Sequence, residues 1–335
     1  MRAVCVSGLM EADALGQVLP HEHLNSDSSF LTQAPTLRRV PLEQIPADDL
    51  RRAPMDYAAN LDMRDELVAI SEASRLVNAG GRTLVDLTTS DLGRDPQLLR
   101  RVSAVTGLNI IMATGYYTHR AHPPAIAQAT VEDIASRFVD DIETGIEGIR
   151  AGVIGEIGTD DPLHPEEVKV LRAAARAQLA TGCPLNIHFA AKCREVFRVL
   201  DLLRDEGVTN LSRVVVSHMD VAIDLEQQRA VAEAGAMIEY DTFGHEAYPD
   251  SKGNLMPRDE ERLEALGQLC SWGLGSQILA SHDVCFKSLW YRYGGYGYTD
   301  LLTRLRPSMP RYGLDEEAQD QLFVTNPARL LAFLP

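Results

Sequence analysis

The feature that most constrains this chain is an alternation. Short runs rich in Val, Ile and Leu are followed by longer amphipathic stretches, eight times over. The runs are QVLPHEHL (17–24), RTLVDLTT (82–89), LNIIMATGYY (108–117), AGVIGEIG (151–158), PLNIHFA (184–190), RVVVSHMD (213–220), AMIEYDTF (236–243) and QILASHDV (277–284). Runs that are apolar on both faces suit parallel strands buried between layers. The stretches between them have helical periodicity, and several stop at a glycine just before the next run: Gly80, Gly107, Gly182, Gly207 and Gly235. Such glycines are helix C-cap chemistry. Strand–helix alternation of this length predicts an α/β fold, a (β/α)8 TIM barrel. An open doubly wound sheet is the competitor, but no GxGxxG follows the first run. Residues 25–60 break the rhythm with polar, proline-containing sequence and are read as a long loop insertion, with a helical turn near Pro46 to Arg52. The whole chain, 1–335, is read as one domain.

Composition narrows the function classes. The formal charge of −16 argues against a nucleic-acid or anionic-membrane binder, which needs basic surface. Five cysteines, Cys5, Cys183, Cys193, Cys270 and Cys285, show no CxxC pairing and are read as free thiols of a reducing compartment. With no signal-peptide pattern and no apolar run of membrane-spanning length, the expected location is the cytoplasm.

The histidines carry the chemical signal. His21 and His23 stand two apart in the first run, so a strand puts both on one face. His188, His218 and Asp283 lie near the carboxyl ends of the fifth, sixth and eighth runs, and Glu156 is an acid amid apolar residues in the fourth. A lone buried carboxylate costs several kcal/mol, so Glu156 calls for a partner. In a barrel the strand ends converge on the face where active sites lie. Six ligands exceed one zinc site of three protein ligands plus water and suit two ions. Two ions about 3.5–4 Å apart hold a hydroxide between them and polarise an electrophile. Glu156 has two oxygens with which to bridge them, and Asp283 is placed to bind one ion and take the proton of the attacking hydroxide.

These residues, in type, order and spacing, make the chain resemble the phosphotriesterase family of the amidohydrolase superfamily. The likeness rests on LPHEHL, SDLGRDP (90–96), ATGYY (113–117), GEIGT (155–159), IHFAA (187–191), SHMD (217–220), SHDV (281–284), GGYGY (294–298) and NPARLLAF (326–333). The resemblance implies a distorted (β/α)8 barrel with a binuclear centre, usually of zinc, with Mn2+ or Co2+ as alternatives. By the same resemblance His21, His23 and Asp283 hold the more buried ion, and His188 and His218 the more exposed one. The family's bridge is commonly a carboxylated lysine. Glu156 stands there instead, the arrangement of the phosphotriesterase homology proteins. The resemblance further implies a small-molecule substrate and a homodimer. The expected activity is hydrolysis of a carboxylic ester or lactone, with an anionic substrate entertained. An N-acyl amide or a phosphotriester is the alternative, and a noncatalytic binding protein on the same barrel is the reading from another class.

Tyr117, Asp241, Lys287 and Arg292 are candidate substrate contacts. Ordinary aromatic packing competes for Tyr117, a helix cap or loop hydrogen bond for Asp241, and solvated surface charge for the two cations of the last βα-loop. His119, His122, His164, His245 and His282 are read as non-ligands, Cys285 as lacking the partner of a thiol nucleophile, and Arg94–Asp95 as a structural helix start.

Overall fold

The computed structural model describes residues 1–29, 37–189, 195–246 and 255–334. Cys193 and the last two residues of IHFAA therefore lie outside the described residues. The chain opens with an antiparallel hairpin, β1 (Arg2–Cys5) and β2 (Gly8–Glu11). Eight barrel strands follow: β3 (Val18–Glu22), β4 (Thr83–Asp86), β5 (Asn109–Thr114), β6 (Val153–Thr159), β7 (Leu185–Phe189), β8 (Val214–Val216), β9 (Met237–Tyr240) and β10 (Ile278–Ala280). Each pairs in parallel with its sequence neighbour from β3 to β10. Every run read as a strand contains one, shorter than its apolar sequence because the chain turns away at the barrel mouth. β10 comes back against β3, where Asp283 N donates to His21 O at 3.2 Å and His21 N to Ser281 Oγ at 3.2 Å. The fold is thus a nearly closed TIM barrel.

Helices between the strands start on the caps their sequences supply. Asp65, Asp95 and Asp224 each accept a first-turn amide, and Thr130 forms a capping box with Asp133. Gly107 and Gly182 end their helices with φ of 75° and 74°, where a side chain would be strained. Buried aliphatic residues from strands and helices form one large core, and a second cluster, Ala3, Cys5, Leu15, Val18, Val85 and Val153 among it, seals the amino-terminal end. β1 belongs to that seal: Arg2 exchanges backbone bonds with Leu334, and Val6 N donates to Ile110 O. The hairpin is absent from the sequence reading because its strands are only four residues each and the one turn signal between them, Ser7-Gly8, is short. Within the described residues 37–61 the insertion carries helices Ala47–Arg52 and Ala58–Leu61 and a small cluster of Ile45, Leu50 and Tyr57.

Candidate metal centre

At the carboxyl ends of the strands the six residues come together. His21 lies on β3 and His23 just beyond it, one face apart from the intervening Glu22. Glu156 sits in β6 where the register slips: Ile154 pairs with Leu185 but Ile157 with Ile187, so β6 uses an extra residue. Gly155 makes that bulge possible, because a Cβ there would lie 2.2 Å from Asn186 O. His188 is on β7, while His218 and Asp283 follow β8 and β10 in left-handed backbone, φ 58° and 46°. Non-glycine residues rarely take that conformation, and it clusters at functional sites.

The distances are those of ligands around common centres. Glu156 Oε2 lies 2.7 Å from His188 Nδ1, 3.1 Å from His218 Nε2 and 3.7 Å from His21 Nε2. Its other oxygen lies 3.5 Å from His23 Nε2, which is 3.2 Å from Asp283 Oδ1. Asp283 Oδ1 is 3.8 Å from His21 Nε2. Two donors on one tetrahedral ion at roughly 2.1 Å stand about 3.4 Å apart, so these separations fit shared coordination. Buried polar atoms normally have hydrogen-bond partners. Among the described residues His21 Nε2 and Asp283 Oδ1 are buried without one and lie 3.8 Å apart. Four imidazoles and two carboxylates are also the borderline donor set that zinc and its neighbours take. The residues fit a metal, and Glu156, with Oε2 beside His188, His218 and His21 and Oε1 beside His23, fits between two.

Behind this cluster lies a shell that sets the imidazole orientations. His21 Nδ1 meets Glu239 Oε2 at 2.9 Å and Asp241 Oδ2 at 3.2 Å. His218 Nδ1 meets Asp241 Oδ1 at 2.8 Å, and His23 Nδ1 meets Thr88 Oγ1 at 3.0 Å. Glu239 Oε2 also accepts from Asn186 Nδ2 and Ser217 Oγ. With Nδ1 engaged, these three rings turn Nε2 to the centre, whereas His188 presents Nδ1 to Glu156. Burial pulls the histidine pKa values down, but the carboxylates override it. Asp241, with Glu239 for His21, drives His21 and His218 well above the usual range, and Asp283 and Glu156 bring His23 to about 9. Burial would raise Glu156, yet His188 and its fellow imidazoles hold it well below the carboxylate range.

The remaining expectations divide. Tyr117 lines the pocket, its hydroxyl 3.2 Å from His188 Nε2, and burial followed by the Glu156 charge raises its pKa well above 10, so it stays a phenol. Tyr116 packs in the core. Asp241 is fully buried behind His21 and His218, its oxygens meeting their Nδ1 atoms and the His218 amide. Neither cation is among the described residues lining the pocket. Arg292 is exposed near the Tyr293 ring. Lys287 is half-buried and acts on Asp62, whose carboxyl is lowered first by Arg64. Their backbone is pinned by Asn60 at Ser288 and by Glu72 at Tyr291 and Arg292. Ser26, Ser28, Met55, Leu92, Cys285 and Phe286 complete the described lining. Asp95 caps its helix as read, whereas Arg94 reaches Ala113 O and Asp141. His282 bonds Glu22, pointing away from the centre. His119 forms a separate group with Asp160 and Glu167, whose carboxylate already accepts the amides of His119, Asp160 and His164. The sequence reading missed Glu22 and Glu239. For Glu239 a signal existed: like Glu156, it is an acid inside an apolar strand.

A histidine–carboxylate cluster at the strand ends makes the chain a TIM barrel with a candidate metal centre. The comparisons name the family. The phosphotriesterase family model matches residues 1–331, and the chain belongs to that family. N-acetyltaurine hydrolase of Mus musculus is 35% identical over 339 residues, 98% of this chain and 97% of the relative. A resiniferatoxin-binding protein from Rhodobacter sphaeroides superposes with a TM-score of 0.94 at 37% identity, covering 99% of this chain and 95% of that one. The phosphotriesterase homology protein from Escherichia coli, solved with phosphate in its active site, gives a TM-score of 0.82 at 30% identity over 95% of this chain and 99% of its own. The chain is a hydrolase with candidate metal-binding clusters, and no helix among its described residues is long and apolar enough to cross a membrane.

Proposed function

We propose that this protein is a binuclear metal-dependent hydrolase of carboxylic acyl bonds, and that its substrate is an N-acyl amide. The observation that carries the metal reading is the pair of buried, unpartnered ligand atoms, His21 Nε2 and Asp283 Oδ1, facing the carboxylate of Glu156. His21, His23 and Asp283 would hold one ion and His188 and His218 the other, with Glu156 shared between the two groups. When bound, the pair supplies Lewis acidity for the acyl oxygen and a nucleophilic water at neutral pH. Zinc is the expected metal.

The chain's own groups do the rest. Asp283 takes the proton of the attacking water at its carboxylate and delivers it to the departing nitrogen. An amide needs that delivery more than an ester does, because an amine leaves poorly unless protonated. Tyr117, kept as a phenol, donates a hydrogen bond into the pocket. Met55, Leu92 and Phe286 give an apolar wall against which a small acyl group packs. The amide is preferred to the ester or lactone of the sequence reading because the mouse relative is named for hydrolysing an N-acetyl amide.

The test is a kcat/KM ranking of the metal-loaded protein on N-acetyltaurine, other N-acyl amides, simple esters and lactones, in water enriched with heavy oxygen. The proposal expects the label in the product acid and the highest values on an N-acyl amide. Higher values on lactones or esters would displace the amide, and absence of label would displace hydrolysis.

A further inference from the structure

The first and last barrel strands, β3 and β10, meet where the sheet ladder is open, and the two carry ligands of the same ion. The backbone bond across this seam runs from Asp283 N to His21 O. Glu22 supplies the rest. It lies between His21 and His23 in sequence, is fully buried, and projects to the opposite side of the strand. Its Oε1 accepts from Ser281 Oγ at 2.8 Å, His282 N at 2.9 Å and His282 Nδ1 at 2.8 Å. Its Oε2 accepts from Val284 N at 3.0 Å. Three successive amides, those of His282, Asp283 and Val284, are therefore all bound by β3, the outer two through one carboxylate. The middle one belongs to Asp283, whose φ of 46° is uncommon for a non-glycine residue, although aspartate tolerates it better than most. His282 Nε2 accepts from Leu301 N at 3.1 Å, so its Nδ1 carries the proton given to Glu22.

We infer that Glu22 is a positioning residue: its carboxylate fixes the backbone on both sides of Asp283 and so aims that ligand at His21 and His23. The inference rests on the metal-hydrolase reading. It separates the two halves of the centre, because Glu22 touches the segment carrying Asp283 and bonds none of Glu156, His188 or His218 in the described structure. A glutamine at this position accepts through one atom alone. With its oxygen kept at the Oε1 site, its NH2 group faces the Val284 N–H, donor against donor.

The experiment compares Glu22→Gln with the wild-type protein in three readouts. In zinc competition against a chelator, one of the two ions should be held about tenfold to a hundredfold more weakly, the other as before. On an N-acyl amide at sub-saturating zinc, kcat should fall and KM hold, since the pocket wall is untouched. In the metal-free protein, amide hydrogen exchange should accelerate at His282 and Val284 and stay unchanged in β5 to β7. Wild-type affinity for both ions together with unchanged exchange at 282 and 284 overturns the inference. If the wild-type protein itself takes up fewer than two ions, the metal reading fails, while the exchange readout still decides for or against Glu22. Should Glu22→Gln not fold, Ser281→Ala removes one of the four donors and is expected to shift zinc affinity and exchange the same way by a smaller factor. No shift in either overturns the inference.

Discussion

Asp241→Asn changes one oxygen to an NH2 group and tests whether Asp241 serves the metal ligands or the substrate. In the structure Oδ1 accepts from His218 Nδ1 at 2.8 Å, and Oδ2 accepts from His218 N at 2.9 Å and lies 3.2 Å from His21 Nδ1. An asparagine keeping its oxygen at the Oδ2 position presents donors to His218 Nδ1. That ring must then carry its proton on Nε2, the nitrogen that faces Glu156 at 3.1 Å, and it loses its lone pair toward the centre. One hydrogen bond to a charged acceptor is lost, worth about 1.5–3 kcal/mol, or about tenfold to a hundredfold in affinity. Metal affinity by chelator competition should fall by that factor. At limiting metal kcat should fall with it, and KM should stay within about twofold. The result that refutes this reasoning is a raised KM with metal affinity intact, for it would mean that Asp241 touches the substrate despite its burial.

Two further perturbations follow from the site's surroundings. Arg292→Met should change kcat/KM for an anionic amide and its neutral analogue by the same small factor, because the guanidinium is exposed and outside the described lining; a selective loss on the anion would return Arg292 to the pocket. His245 is almost completely buried, and burial lowers its pKa from 6.5 to about 4. Below pH 6.5 the unfolded chain binds a proton there that the folded one refuses, so folding stability falls as pH drops from 6.5 toward 4. The loss attributable to this residue is on the order of 3 kcal/mol. His245→Gln, compared with wild type by denaturant unfolding, should flatten that acid limb; parallel pH profiles would remove His245 as its source.

How much of this was legible in the sequence follows from which physical signals are local. The barrel was readable because parallel strands buried on both sides must be apolar throughout, and eight such runs do not arise in an open hairpin fold. The six central residues were readable because acids and histidines inside apolar strands have to be explained by something. Glu239 gave the same signal in MIEYD, but nothing local says that its carboxylate backs His21 from across the barrel. Glu22 was hidden for a different reason. Flanked by two histidines, it reads as part of their motif, and only the return of β10 against β3 shows its partners, some 260 residues away in sequence. Lys287 and Arg292 lie on a loop whose course depends on its anchors, Asn60 and Glu72, which come from other parts of the chain. Asp241 was read at its strand end, and position along a chain gives depth in the barrel but not which neighbours the side chain meets, here His21 and His218.

The measurement that bears most directly on the central claim is metal stoichiometry. Metal-free protein is saturated with Zn2+, freed of excess ion, and analysed for metal per chain, wild type beside Glu156→Gln. The account predicts two ions on the wild type, and in the variant loss of paired occupancy with the fold retained, since the bridging charge is gone while the barrel core is untouched. One ion on the saturated wild type, or two held undiminished by the glutamine variant, would contradict it.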